Sequence, residues 1–422
     1  MASKNTREEQ KWVCGLDQCG KEPKKVCSKC RRVSYCSRDH QVTDWKNHKK
    51  VCHIAHDPPK AVGDDPLQSI KGIFSGMQVP QGDIMEEVKD LSTEGIPLRM
   101  LKLKNRGVGL IATRDIKRGE LIFQEKPIMT PATDEKKSLT DEGVQLFVRE
   151  DEEEKRRIEM KRHRLKPGEL KRIMNGFNNL SSADKAKYME LHDSFRTDPS
   201  EPKSVCGIYI TNSVEQGEDG SVCMLVSRIN HSCVPNVQHV WAEPFERVVS
   251  CRDIQRGEEI FTSYVMLDQG RLQRNMKLSQ QYGFTCYCAA CTLDGWDTKQ
   301  GVSLQQLSDQ RRNEMRELDR IIKYLGQSDP ITALKCVDNF LELQKKEGLE
   351  LLTARTSYDA FQIAVLMGDL SLAEKWIHRA HSHYTIRNFA DSTLVKELFG
   401  YLQNPKSHET LGLAQRFGTL RL

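Results

Sequence analysis

Four cysteines in two separate segments have the residue type and spacing of one metal site. Cys286, Cys288 and Cys291 form a C-x-C-x-x-C pattern, which cannot close a tetrahedral zinc shell without a fourth ligand. Cys233, within Asn230-His231-Ser232-Cys233-Val234-Pro235-Asn236, is the natural candidate. Surface thiols on a loop are the alternative, but clustered cysteines in a short segment more often indicate metal binding. We therefore expect the two segments to form one site.

A second group of candidate ligands precedes residue 53. Eight ligands fill two tetrahedral shells, and the eight are Cys14, Cys19, Cys27, Cys30, Cys36, His40, His48 and Cys52. The last four form two i,i+4 pairs, so a helix over residues 37–51 would place each pair on one helical face. The pattern predicts interleaved shells, Cys14 and Cys19 with Cys36 and His40, and Cys27 and Cys30 with His48 and Cys52. A disulfide framework is the alternative, which the polar first residues and the absence of a signal peptide disfavour.

Composition and charge restrict the class of protein. A chain of 422 residues should divide into two or three domains. The mean hydropathy of -0.60 and the lack of an apolar run near 18 residues argue against a membrane span. Residues 1–56 carry 13 Lys/Arg against 6 Asp/Glu, which favours acidic partners, nucleic acid included, although a solvated zinc-finger face explains it more simply. We expect no membrane association and an intracellular location, in the nucleus, the cytoplasm or both.

The segment around Asn230 resembles the SET domain of protein lysine methyltransferases. In that domain an NHSC-x-PN segment and a downstream tyrosine form the catalytic centre, and residues 257–264 look like the strand that carries the tyrosine, here Tyr264. The resemblance implies that S-adenosylmethionine is the methyl donor. It also implies cofactor contacts from Arg106, Gly107, Val108, Gly109, Asn230, His231, Tyr264 and Phe284, and a lysine channel lined by Asn212, Ser213 and Tyr282. Taken singly, each of these residues is as well explained by packing or by a buried hydrogen bond.

The whole chain resembles the SMYD (SET and MYND domain) family. Its first ligands are similar to a MYND zinc finger, with four residues rather than two between Cys14 and Cys19. The finger precedes the Gly107-Val108-Gly109 turn entirely, an order that looks like the arthropod SmydA branch. The resemblance implies a MYND finger at 14–52 and a SET domain at 96–270, with a post-SET zinc segment at 271–295.

The remaining segments complete an α+β architecture. Residues 53–95 contain Pro, Gly and Asp without clear periodicity, which predicts a linker with at most a short helix. Dense mixed charge over about 134–203 predicts a helical insert in the SET domain, and residues 208–213 then resume strand character. Helical spacing of apolar residues over 300–422 predicts an all-helical C-terminal domain, either TPR-like or a plain bundle.

Two functions from different classes follow from these features. The first is a protein-lysine N-methyltransferase that uses S-adenosylmethionine, holds three zinc ions per chain and acts on lysine-bearing proteins, with histones among the candidate substrates. The second is a scaffold with weak or no catalysis that takes part in transcriptional repression. Gln41 and Trp45 occupy the places that bind proline-containing peptides in some MYND fingers, although Trp45 could instead pack beneath the zinc helix.

Overall fold

The computed structural model describes residues 25–26, 34–52, 78–132, 165–196, 198, 200–216, 219–297, 300–388 and 392–413. The chain divides into two compact units, one of residues 1–62 and 294–301 and the other of residues 63–293 and 302–422. The described part of the first unit contains β1 (Lys25–Val26), β2 (Ser34–Tyr35), α1 (Arg38–Cys52) and β13 (Trp296–Asp297). Strands β1 and β2 pair antiparallel.

The second unit opens with an antiparallel sheet in the order β3-β4-β5. Its strands are β3 (Ile84–Asp90), β4 (Leu98–Leu103) and β5 (Gly107–Ala112). Residues 84–90 were expected in the linker, and that boundary is wrong because the sheet begins there. Strand β3 is an edge strand whose side chains are almost all exposed, so it lacks the alternation of apolar and polar residues that marks a strand in sequence.

A second antiparallel sheet runs in the order β10-β11-β6. Its strands are β6 (Leu121–Glu125), β10 (Val237–Ala242) and β11 (Phe245–Ser250). Apolar side chains of both sheets, among them Leu98, Leu110 and Val248, share one core. A short parallel pair, β9 (Asn230–His231) and β12 (Phe261–Thr262), lies outside these sheets and carries the residues of chemical interest.

Two helices lie in the described part of the insert, as the charge pattern predicts, namely α2 (Pro167–Asn178) and α3 (Ser182–Glu190). They are followed by α4 (Val205–Asn212) and by the hairpin of β7 (Ser213–Gln216) and β8 (Asp219–Val222). Residues 134–164 of the predicted insert lie outside the described residues.

The strand expected over residues 208–213 is wrong, because most of this segment belongs to α4. Ser204 caps the helix by accepting a hydrogen bond from the Gly207 N–H at 2.8 Å. Cys206 and Ile208 are fully buried in the core of the insert. The cap and this packing override the strand preference of the β-branched residues.

The C-terminal region is helical, as expected. After α5 (Arg271–Tyr282) and the short β14 (Val302–Ser303) come α6 (Leu304–Ser328), α7 (Pro330–Lys346), α8 (Thr353–Met367), α9 (Leu370–Asn388) and α10 (Thr393–Gln403). Each of these last five helices packs against the next around one apolar core. Among the described helices, none combines the length and the apolarity needed to cross a membrane.

Candidate active site and zinc centre

The parallel pairing of β9 with β12 brings two distant sequence segments together. Asn230 lies opposite Phe261, and His231 lies opposite Thr262. The buried side chain of Asn236 fixes the pair, because its Oδ1 accepts from the Phe261 N–H at 2.6 Å and its Nδ2 donates to the Glu259 carbonyl at 2.9 Å. Sequence reasoning assigned no role to Asn236 beyond its place in the motif.

Four aromatic rings gather where β12 ends. The rings of His231, Tyr264, Tyr282 and Phe284 form five contacting pairs, with centroids 4.8 to 6.5 Å apart. His231 is buried, whereas the other three are half-buried. The cluster therefore has an apolar interior and a face that solvent can reach.

The Tyr264 hydroxyl has a defined partner. It donates a hydrogen bond to the Ile229 carbonyl at 2.6 Å. Burial of the hydroxyl raises the pKa of Tyr264, with smaller contributions from Tyr282 and Glu259. The group is therefore a neutral phenol at physiological pH, with its oxygen lone pairs left available as acceptors.

His231 connects the aromatic cluster to the cysteines. Its Nδ1 lies 3.0 Å from the Tyr264 backbone N–H, and its Nε2 lies 3.3 Å from Cys233 Sγ. Because a backbone N–H can only donate, Nδ1 must be the acceptor and Nε2 must carry the proton in this arrangement. The ring thus positions Tyr264 relative to the Cys233 sulfur.

A buried carboxylate that sequence reasoning missed lies beside Asn230. Glu259 is 1% exposed, and its Oε2 accepts from Arg106 Nη1 at 2.8 Å. Its Oε1 accepts from Asn230 Nδ2 at 2.8 Å. Burial raises the pKa of Glu259, while Arg106 and the Asn230 hydrogen bond oppose the rise. Its signal in the sequence was weak, since it is one of two adjacent acids before an apolar run.

The glycine turn expected to approach the methyl donor has two different local roles. Gly107 has a left-handed φ of +69°, as does the nearby Asn105 at +62°, so the tight turn between β4 and β5 requires them. Gly109 instead provides space, because a Cβ there would collide with Glu259 Oε1 and lie 3.1 Å from Asn230 Nδ2. Val108 offers its backbone, with its carbonyl 3.3 Å from Asn230 Nδ2.

The four cysteines expected to bind one ion lie together. The sulfurs of Cys233, Cys286, Cys288 and Cys291 are all within 4.8 Å of one another, and Cys233 and Cys291 are 3.6 Å apart. Zn–S bonds of about 2.3 Å at tetrahedral angles separate sulfurs by about 3.8 Å, so this set fits zinc. The donors are all sulfur and fully occupy four positions, which is the composition of a structural site.

A fully buried arginine lies against this cysteine group. Arg274 Nε donates to Cys233 Sγ at 3.0 Å, and its Nη2 lies 3.7 Å from Cys291 Sγ. Four thiolates around one Zn²⁺ leave a net charge of about −2, which the guanidinium partly offsets. Neither its helix nor its spacing singled out Arg274 in the sequence.

Asn212 and Ser213, which were expected to line the lysine channel from one strand, lie in two different elements. Asn212 ends α4 and is buried, with its Nδ2 donating to the carbonyls of His192 and Ile208 at 2.7 Å each. Ser213 begins β7 and is half-buried. The amide of Asn212 is therefore used to hold the insert together. Ser194 Oγ donates to the Gln281 carbonyl at 2.8 Å, which joins the insert to α5 next to Tyr282.

Only part of the expected N-terminal zinc framework can be described. Helix α1 covers all of the predicted 37–51 segment except Ser37, and Cys36 Sγ lies 3.2 Å from His40 Nδ1. Cys14, Cys19, Cys27 and Cys30 lie outside the described residues, as do the side chains of His48 and Cys52. Gln41 and Trp45 are one turn apart on α1, and Trp45 is 39% exposed.

Family models identify the domains that these residues belong to. The SET domain model matches residues 107–265, and the MYND finger model matches residues 14–52. These two segments of the chain are therefore similar to a SET domain and to a MYND finger.

Several curated relatives share these segments. The chain is 26% identical over 317 residues to "Histone-lysine N-methyltransferase set5" of Schizosaccharomyces pombe, which covers 74% of this chain and 85% of that protein. It is 39% identical over 89 residues to human "N-lysine methyltransferase SMYD2", covering 21% and 20%. The SET domain and these relatives support a protein-lysine methyltransferase.

A solved structure of similar extent is the SET domain of LSMT bound to lysine and AdoHcy. The alignment covers 84% of this chain and 90% of that one at 12% identity. Its TM-score of 0.25 is too low to inform the fold.

Proposed function

We propose that the chain transfers a methyl group from S-adenosylmethionine to the side-chain amine of a protein lysine, beside the Tyr264 hydroxyl. The observation that carries this proposal is the half-buried ring cluster around Tyr264. The cluster includes His231, which follows Asn230 in β9. S-adenosylmethionine supplies a methyl group on a positively charged sulfur. The protein must then align the amine with that methyl and keep the amine neutral.

The aromatic cluster suits both tasks. A free lysine, with a pKa of about 10.4, is almost fully protonated at neutral pH. Apolar walls from Tyr264, Tyr282 and Phe284 disfavour the ammonium form, and so does a neighbouring positive sulfonium. The Tyr264 hydroxyl donates a hydrogen bond to the Ile229 carbonyl. The lone pairs of its oxygen can therefore orient the reacting groups, and the hydroxyl does not act as a base. The Glu259 carboxylate is engaged by Arg106 and Asn230, which leaves the site without a dedicated base.

Further assignments follow from the proposed reaction. Asn230, His231, Arg106 and the Gly107–Gly109 backbone hold the methyl donor, with Phe284 near its adenine. Tyr282 lines the lysine channel, and Asn212 and Ser213 border it. The amide of Asn212 holds the insert together, so Asn212 supports the channel rather than contacting the substrate through its amide. Three zinc ions are expected per chain, two in the MYND finger and one at Cys233.

Histone lysines are the substrates we test first. The support is the relative from Schizosaccharomyces pombe, which is named as a histone-lysine N-methyltransferase. The order of the two matched ranges, finger before SET domain, supports the arthropod SmydA branch. Action on histones would require an intracellular location with access to the nucleus.

A second candidate function is protein binding at the MYND finger. Trp45 keeps 39% of its surface exposed one turn from Gln41, which favours a groove for a proline-containing peptide over complete packing. In this function the finger recruits partners for repression, with or without catalysis.

One experiment separates the two functions. The purified zinc-loaded chain is incubated with labelled S-adenosylmethionine and with core histones or cytosolic proteins, and a panel of proline-containing peptides is titrated in parallel. We expect label in protein lysines, and loss of peptide binding in Trp45→Ala with methylation of a short substrate unchanged. Absence of methylation with every substrate, together with peptide binding that depends on Trp45, would favour the scaffold.

A further inference from the structure

The two oxygens of Glu259 are divided between two neighbours that we assign to the methyl donor. Oε2 accepts from Arg106 Nη1, and Oε1 accepts from Asn230 Nδ2, both at 2.8 Å. Glu259 is 1% exposed, whereas the Arg106 side chain is 36% exposed. One buried carboxylate thus holds two side chains that reach toward the candidate cofactor site.

This arrangement determines which way the Asn230 amide faces. Its Nδ2 lies against a carboxylate oxygen and against the Val108 carbonyl, both of which can only accept. The reversed amide would set an oxygen against two oxygens. Asn230 Oδ1 is therefore turned away from Glu259 as a hydrogen-bond acceptor. Arg106 uses Nη1 on Glu259, and its Nη2 lies 3.6 Å from Asp83 Oδ2 at the half-exposed rim, which leaves further N–H groups to donate.

We propose that Glu259 is a positioning residue that gives Asn230 and Arg106 opposite polarities for an α-amino-acid group. Asn230 Oδ1 accepts from the ammonium of the methionine end of the methyl donor, and Arg106 donates to its carboxylate. This inference rests on the proposed function. In it, Glu259 contributes to recognition of the methionine end of the methyl donor without having to contact that end itself.

Steric detail at Gly109 supports a specific place for Glu259. A side chain at this position would occupy the space of Glu259 Oε1 and press on Asn230 Nδ2. The close packing of Gly109 thus keeps the carboxylate and the amide in register. Gly109→Ala is expected to displace both and to have the same effect on ligand recognition as loss of the carboxylate.

A glutamine cannot replace Glu259 in this role. Glu259→Gln keeps the shape but has one acceptor oxygen and one NH₂ group. The NH₂ must then face a donor, either Arg106 or Asn230, so at least one of the two hydrogen bonds is lost. Loss of the bond to Asn230 also frees its amide to turn over.

The test compares ligands with and without the amino-acid end. Binding of S-adenosylmethionine, S-adenosylhomocysteine and 5′-methylthioadenosine to the full zinc-loaded chain is measured by calorimetry. Methylthioadenosine keeps the adenosine and the thioether but has no ammonium or carboxylate. For Glu259→Gln we expect Kd to rise about tenfold or more for the first two ligands, as the loss of a charge-assisted hydrogen bond implies. Kd for methylthioadenosine should stay within about twofold.

Glu258→Gln is the matched control. Glu258 is the adjacent residue, is equally buried, and is paired with its own arginine, Arg252, and with Asn236 instead of Asn230. It should lower thermal stability without changing the ratio of Kd values between S-adenosylmethionine and methylthioadenosine. Arg106→Gln, at a half-exposed position, should also raise the ratio of the S-adenosylmethionine Kd to the methylthioadenosine Kd. This variant replaces Glu259→Gln in the test if the variants at the buried positions do not fold.

The outcomes distinguish the two proposals. Equal losses for all three ligands in Glu259→Gln would make the residue merely structural and overturn the inference, as would no loss for any of them. Wild-type protein that binds none of the ligands would overturn the proposed function and the inference together.

Discussion

At the scale of single residues, the hydrogen-bond partners of Tyr264 and His231 determine where each side chain carries its proton. Tyr264 donates to Ile229, and His231 accepts from the Tyr264 N–H. Both assignments follow from which partner can only donate or only accept. The resemblance to SET domains implied a set of site residues, but not the direction of any hydrogen bond.

The first prediction concerns the Tyr264 hydroxyl. Tyr264→Phe removes one oxygen and should lower kcat by about 10²-fold or more, because a positioned polar group is lost from the transition state. S-adenosylmethionine binding should be nearly unchanged. Turnover of a lysine substrate and the Kd of the methyl donor are measured side by side.

Tyr188→Phe provides the control for folding effects. Tyr188 is fully buried in the insert and donates to the Val205 carbonyl at 2.9 Å, so it loses the same kind of hydrogen bond. It should cost about 1 kcal/mol of stability and leave kcat intact. If Tyr264→Phe retains full turnover in a preparation free of other methyltransferases, the catalytic centre lies elsewhere.

At the scale of elements, helix α5 supports the zinc centre from one side. Arg274 faces the sulfurs, and Asn275 Oδ1 accepts from the Cys286 N–H at 2.7 Å. Asn275 Nδ2 also lies 3.7 Å from Cys291 Sγ. The C-x-C-x-x-C loop is thereby held on the helix that ends with Tyr282, so the cysteine group and the proposed lysine channel share one support.

We expect Arg274→Met to weaken retention of one zinc ion. The variant removes the positive charge that offsets the thiolates, so one of three ions should be lost faster to a chromogenic chelator. Wild-type protein should contain three zinc ions per chain by elemental analysis.

Arg271→Met is the control for this variant. Arg271 lies one turn earlier on α5 and donates to the Cys291 carbonyl at 3.2 Å rather than to a sulfur. Its zinc release should stay close to that of the wild type. Identical release rates for the two variants would mean that charge is not the cause.

At the scale of the whole second unit, the C-terminal helices are joined to the SET domain by buried charges. Arg312 on α6 is fully buried and donates to the carbonyls of Leu267 and Cys233 at 2.7 and 3.2 Å. Its Nε pairs with Glu347 at 2.9 Å. The backbone of a zinc ligand is therefore held from the helical region, which makes that region part of the site's support.

A second junction between these regions should make stability depend on pH. Arg118 Nη2 donates to His383 Nδ1 at 3.1 Å. Burial lowers the pKa of His383 to about 4, and Arg118 and Arg379 add to this effect. Since the unfolded histidine titrates near 6.5, the unfolded state binds more protons between these values. Stability should therefore fall as the pH drops from 7 toward 4.

His383→Gln isolates this contribution, because glutamine can accept from Arg118 but does not titrate. Urea unfolding is measured at pH 7.0 and 5.5 for both proteins. The wild type should lose more stability than the variant over this interval, by at most about 1 kcal/mol because solvent screens this partly exposed site. Parallel losses in the two proteins would show that His383 does not contribute, since other histidines and the zinc thiolates are common to both.

What the sequence determined by itself was the set of residues with unusual chemistry. The C-x-C-x-x-C loop with Cys233 was predicted from type and spacing, since a metal shell restricts both. The roles of the Asn230-His231 pair and of Tyr264 were implied by the resemblance to SET domains. The helical insert and C-terminal region followed from charge and apolar periodicity.

The tertiary structure decided what surrounds these residues. Glu259, Arg274 and Arg312 have no distinctive spacing, and each gains its role from a partner far away in the chain. Strand β3 is exposed and α4 is rich in β-branched residues, so local pattern and propensity gave no sign of either. Long-range packing and hydrogen bonding are not encoded in any short segment, and they determine where a buried charge finds its partner.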